Sequence, residues 1–173
     1  MLRATRSQFG FVPSPVAKAA ASPELLGHLL AGFRAFDQTS LTPAEREVLA
    51  LTVAHEHGCS YCMALHSALA SQAPELSALV PALRAGAPLA DARLEALRLF
   101  VRELVRERGQ AGRQAWQRLE HAGFSSAQAL ELVLGVGVYV LSTFTNSVVD
   151  AALDPAFTAF AWQKPGARDP ELD

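Results

Sequence analysis

Gly58-Cys59-Ser60-Tyr61-Cys62-Met63-Ala64-Leu65-His66 contains both cysteines of this chain and one of its five histidines. The stretch decides the fold through its first residue. Gly58 closes the apolar run that precedes it, and the spacing behind it predicts a new helix from about residue 60 to residue 71. On that helix Cys62 and His66 stand one turn apart, and Cys59 lies at or just before the first turn. A helix start offers unpaired N–H groups and a partial positive charge, both of which favour a thiolate. An imidazole one turn on can accept the thiol proton or stabilise the charge. Two thiols and an imidazole in so small a volume suit thiol–disulfide exchange or metal binding.

Moving outward, Glu47 stands twelve residues before Cys59. Along one continuous helix that separation is roughly 18 Å. A reversal at Gly58 removes it, because residues about equally far from the turn of a helical hairpin face each other. Glu47 lies 11 residues before the bend and His66 lies 8 after it, so a Glu47–His66–Cys62 relay is sterically reasonable. The start of the first arm is also readable. Thr42-Pro43-Ala44-Glu45 is a capping box with proline in the first turn. Glu45 and Arg46 read as solvated face residues.

The rest of the chain reads as further helices. Ser22-Pro23 opens one to about Phe36, and a short one covers about Pro74 to Ala85. A long amphipathic helix starts near Asp91 and ends by Gly109, and another spans Gln110 to Ala122. Ser125 with Gln128 forms a second capping box and opens a last helix to about Ala152. The chain has no isoleucine and few β-branched runs, which favours helix over sheet. The expectation is an all-α, single-domain bundle of about six to eight helices built around a catalytic helical hairpin. Residues 1–21 form an N-terminal arm, 22–163 the helical domain, and 164–173 a mobile tail.

Three readings of the cluster compete. The first is a redox-active pair, Cys59 and Cys62, with Glu47 and His66 as proton relay and Tyr61 as a possible accessory. The second is zinc held by Cys59, Cys62, His66 and His57, whose ligand types are acceptable, in a structural or redox-sensor protein. His57 lies across the presumed bend, which counts against that set. The third is a scaffold with incidental cysteines.

At Glu47, Cys59, Tyr61, Cys62 and His66 the chain resembles the AhpD-like alkylhydroperoxidase family of the carboxymuconolactone decarboxylase superfamily. The lead-in from Leu41 to Leu49 is similar too, and Asn146 to Pro155 resembles the closing helix of peroxidase-related members. The resemblance implies an all-helical, oligomeric peroxidase acting on organic hydroperoxides, with Cys62 as the attacking thiol and Cys59 as the resolving thiol. It also implies Glu47 and His66 as the relay, no bound cofactor and no metal. An external dithiol, a lipoyl protein or a thioredoxin-like one, is then required as reductant. The family's commonest motif has histidine where this chain has Tyr61, so a proton role there is not carried over. Decarboxylases of the superfamily lack the cysteine pair.

Composition agrees. A chain of 173 residues with half of them apolar can bury a core as one domain. A net charge of −2 gives no surplus for nucleic acid. No secretory run precedes the domain, and the longest apolar stretch, Leu132 to Thr145, is too short to span a membrane. A cytoplasmic location is expected. The last helix has no broad polar face, so it forms either the bundle centre or a subunit interface. With Phe9, Phe11, Phe157, Phe160 and Trp162 near the termini, this predicts a homo-oligomer with the termini near its contacts. Gly135 and Gly137 inside that helix mark either simple accommodation or close approach by another helix, the Cys59–His66 helix being the candidate.

Overall fold

The computed structural model describes residues 2–166. They form ten α-helices: α1 Leu2–Phe9, α2 Ser14–Ala19, α3 Pro23–Asp37, α4 Pro43–His57, α5 Ser60–Ala70, α6 Pro74–Ser77, α7 Val80–Ala85, α8 Ala92–Arg106, α9 Arg113–His121 and α10 Ser126–Val148. A 3-10 helix, Pro155–Phe160, follows, and no strand occurs among the described residues. The all-α expectation holds, with more helices than the six to eight read from the sequence. The arm is itself helical, and the segment from Pro74 to Ala85 divides in two. Pro81 causes the division: in a continuous helix its ring would meet the carbonyl of Ser77, and it has no N–H to offer there.

The centre of the bundle is α4. Every residue from Val48 to Ala54 is buried, and α4 packs against α5, α8 and α10. Its start is the expected capping box, with Glu45 N–H donating to Thr42 Oγ1 and Thr42 N–H donating to Glu45 Oε2 at 2.8 Å. Glu45 is nevertheless no solvated residue. It is 2% exposed and accepts a 2.7 Å bond from Arg93 Nε on α8. The Arg93 guanidinium in turn lies 3.7 Å from the centre of the Phe124 ring. A glutamate at the third helical position can serve both cap and ion pair, and sequence spacing reports only the cap.

The long helix α10 packs one face on α3 and α4. Gly135 makes this approach possible: a Cβ there would stand 2.4 Å from Phe36 Cε2 and 2.8 Å from Leu49 Cδ1. The close neighbours are therefore α3 and α4, not the cysteine helix. Gly137 points into open space. The opposite face stays apolar and uncovered, with Leu130 71%, Val133 50%, Phe144 57% and Val148 85% exposed. One face of α10 thus lies in the bundle, and the other is exposed. With 23 residues and a hydropathy of 1.5, α10 is long and apolar enough to cross a membrane, longer than the stretch read from the sequence.

The terminal aromatic residues fold back on their own chain. Phe9, Phe11 and Phe157 form a tilted series that meets Tyr61 on α5 at a T-shaped contact. Asp154 Oδ2 accepts from Ser14 N–H at 3.0 Å and from the Tyr61 hydroxyl at 2.6 Å. Lys18 Nζ donates to the carbonyls of Val149 and Asp150. The arm therefore closes on the far end of the same chain. Trp162 Nε1 and Lys164 Nζ bond the carbonyls of Arg84 and Glu56. The remainder of the tail, 167–173, lies outside the described residues.

Candidate active site

The hairpin at Gly58 builds the site. Gly58 takes φ 66°, a left-handed conformation that closes α4, and glycine adopts it without the clash of a Cβ. Cys59 N–H then bonds back to the Ala54 carbonyl at 2.9 Å, and α5 starts at once. Cys59 is the N-cap of α5, and its sulfur accepts the Cys62 backbone N–H at 3.4 Å. Serine, threonine, asparagine or aspartate usually fills such a position. A sulfur there sits against the positive end of the helix.

The two thiols are free and differ in surroundings. Cys59 is partly exposed and Cys62 is buried, at 3% exposure. Hydrogen bonding from the Cys62 thiol is the main influence on Cys59. With the Cys62 backbone N–H, Asn146 and His66 it outweighs burial and brings Cys59 from 9.0 to about 6. Cys62 moves the opposite way. Its thiol donates to Cys59, and burial and the charge on Cys59 raise it further, while Asn146 and Ser142 oppose the rise. At neutral pH the pair shares one proton, held on Cys62, and Cys59 carries the charge.

Glu47 and His66 meet across the hairpin as expected, with Glu47 Oε1 and His66 Nδ1 3.0 Å apart. Both are largely shielded, and the Tyr139 ring lies edge-on to the imidazole at 5.2 Å between centres. Burial lowers the His66 pKa, but Glu47, through charge and hydrogen bond, and the Cys59 charge reverse this and raise it. His66 therefore titrates above an ordinary imidazole beside the pair. Of the two roles the sequence leaves open for it, this shift favours stabilising the thiolate over accepting its proton.

Tyr61 lies in the motif but turns away from proton chemistry. Burial and the Asp154 carboxylate raise its pKa, and its hydroxyl pins the segment that closes the fold. The four proposed zinc ligands do not assemble: His57 Nδ1 lies 2.7 Å from Thr143 Oγ1 and its ring is against Phe144. No three His, Cys, Asp or Glu side chains among the described residues are placed to hold a metal ion. One residue the sequence reading left without a role stands at the centre: Asn146 on α10, whose Nδ2 is 3.1 Å from Cys62 Sγ. The available signal was slight, because Asn146 stands among other polar residues, Ser142, Thr143, Thr145 and Ser147, in the last turns of α10.

Residues 23–100, from α3 into α8, match the carboxymuconolactone decarboxylase family. That span carries Glu47, both cysteines and His66. Over that span, a little under half of the chain, this protein is similar to the carboxymuconolactone decarboxylase family. An uncharacterized peroxidase-related protein from Silicibacter sp. TM1040 has the same fold at a TM-score of 0.78 and 21% identity, over 90% of this chain and 84% of that one. A peroxidase-related protein from Ralstonia eutropha JMP134, described as an alkylhydroperoxidase AhpD core, superposes at 0.77 with 19% identity, over 90% and 84% of the two chains. A debrominase in its apo form superposes at 0.78 with 17% identity, over 92% and 87%. At these identities the likeness is one of fold. No curated protein matches the chain.

Proposed function

We propose that this AhpD-like chain is a dithiol peroxidase that reduces organic hydroperoxides. The observation that carries the reading is the acidic, helix-capping Cys59 beside a buried partner thiol, with His66 held by Glu47 at 3.0 Å. The Cys59 thiolate attacks the terminal peroxide oxygen and the O–O bond breaks. The departing alkoxide takes the His66 proton and leaves as an alcohol, and Cys59 becomes a sulfenic acid. The Cys62 sulfur then attacks Cys59, the S–S bond forms, and hydroxide leaves with the Cys62 proton as water. An external dithiol, lipoyl-bearing or thioredoxin-like, attacks the more exposed Cys59 sulfur and restores both thiols as it becomes a disulfide. This order of the thiols, set by acidity and exposure, is the reverse of the one the resemblance alone implies.

The reading places the protein in the cytoplasm, where such a pair is kept reduced between turnovers. It assigns the uncovered face of α10 to a second copy of the chain. Leu130, Leu134, Gly137, Leu141, Phe144 and Val148 recur at alternating steps of four and three, the spacing of a helix-to-helix seam. The test is thiol titration of reduced protein before and after one equivalent of cumene hydroperoxide. Loss of two thiols with a two-hydrogen mass decrease in the peptide holding Cys59 and Cys62 is expected. In Cys62→Ser a sulfenic acid trapped on Cys59 is expected. Persistence of both thiols would overturn the reading.

A further inference from the structure

The proposed cycle asks something difficult of Cys62. It must carry a full negative charge twice, once when it attacks the oxidised Cys59 and once when reduction of the disulfide expels it as a thiolate. Its surroundings oppose that charge, because the sulfur is buried. A buried anion needs a donor aimed at it. Neither Glu47 nor Tyr61 supplies one: the first is engaged with His66 and the second with Asp154, and Ser142 on α10 contributes less than Asn146.

Asn146 does. Its side chain enters from α10, outside the hairpin that carries the motif, and is itself 8% exposed. Nδ2 stands 3.1 Å from Cys62 Sγ and 3.7 Å from Cys59 Sγ. One NH₂ group thus reaches both sulfurs and lies nearer to the buried one. The position is fixed at backbone level, since the Asn146 carbonyl accepts the Ala151 N–H at 3.0 Å where α10 ends. Asparagine in a helix competes for backbone bonds and is a poor helix former. Here its amide has left the helix to meet sulfur.

We infer that Asn146 is a catalytic residue of this chain, its amide N–H stabilising the Cys62 thiolate that forms and departs as the disulfide closes and opens. For its part in turnover this rests on the dithiol reading, but the claim itself concerns the sulfur and needs no peroxide. It also makes α10 part of the active site, outside residues 23–100 that match the family.

The test measures reduction of the preformed Cys59–Cys62 disulfide by dithiothreitol in the full chain. A donor to an ionised group stabilises enough to change a rate by about tenfold or more. Asn146→Leu, which removes the donor, is expected to slow reduction at pH 7 about tenfold with unchanged helicity by circular dichroism. Asn146→Asp has the same shape with a carboxylate in place of the donor. It is expected to be slower still, with a deficit that grows from pH 5 to pH 8 as the carboxylate ionises. A packing role predicts the opposite order, with the isosteric aspartate near wild type and leucine impaired. That order, or wild-type rates in both variants, would overturn the assignment. Should the wild type fail to consume hydroperoxide yet show this pattern, the peroxidase reading falls and the role of Asn146 stands.

Discussion

An ionised Cys59 at neutral pH has a rate signature that can be worked out in advance. With a pKa of about 6 against the ordinary 9.0, roughly nine-tenths of Cys59 is thiolate at pH 7, where an unperturbed thiol has about one-hundredth. Lower basicity weakens the nucleophile by about 20-fold over those three decades, so the net advantage at pH 7 is only about fourfold. At pH 5 the thiolate populations differ by about 900-fold and the net advantage grows to about 40-fold. Acid is therefore where the environment shows. The assay is the pH dependence of iodoacetamide alkylation of Cys59, read by peptide mass spectrometry between pH 4 and pH 10. A half-point near pH 6 is expected. The influences on Cys59 are ordered, with the Cys62 thiol first and His66 last. At pH 5, Cys62→Ala must therefore slow Cys59 alkylation more than His66→Ala does. Glu47→Gln follows the same logic through His66. Without the carboxylate, burial is opposed only by the charge on Cys59, so the His66 pKa falls and Cys59 loses part of the support of a positive neighbour. For peroxide turnover the signs are opposite on the two sides. The rate falls below pH 6 as Cys59 gains a proton, and falls again in the alkaline direction as His66 loses the proton destined for the alkoxide. A half-point above pH 8, or a larger effect from His66→Ala than from Cys62→Ala, would refute the reasoning.

Two glycines two residues apart in α10 are expected to respond with opposite signs. Gly135→Ala forces a Cβ into Phe36 and Leu49 and destabilises by about 1–3 kcal/mol, whereas Gly137→Ala meets nothing and stabilises by up to about 1 kcal/mol through helix propensity; urea denaturation of both variants checks the pair. Assembly through α10 predicts a light-scattering mass at a multiple of 18.5 kDa for the wild type and a shift to that single mass for Leu130→Asp. A wild-type monomer at micromolar concentration would remove the interface.

Much of this molecule is legible because its signals are local. Gly58 announces the reversal, Thr42 and Ser125 with their partners three residues on announce two helix starts, and Glu47 and His66 follow from comparable distances to one bend. What escaped is non-local. Glu45 reads as a cap, and nothing in its neighbourhood says that Arg93, 48 residues on, will bury it. The aromatic residues near the two ends read as surplus surface, since sequence spacing does not reveal that Asp154 joins Ser14 to Tyr61 and brings the ends together on one chain.

The thiols illustrate the limit most sharply. The motif places Cys59 and Cys62 in one turn, but it does not assign the charge between them. That assignment depends on which sulfur caps the helix, which one is covered, and what reaches them from elsewhere. The first two are properties of the hairpin. The third belongs to α10, which brings Asn146, 84 residues on, to the buried sulfur. An asparagine on a helix that carries a single charged residue, Glu131, cannot be there for solvent on its buried side. Burial of its amide is tolerable only with an acceptor, and the acceptor that α10 meets at that level is sulfur. The residue that looks least suited to its helix is therefore the one that ties the packing of the bundle to the ionisation of the pair.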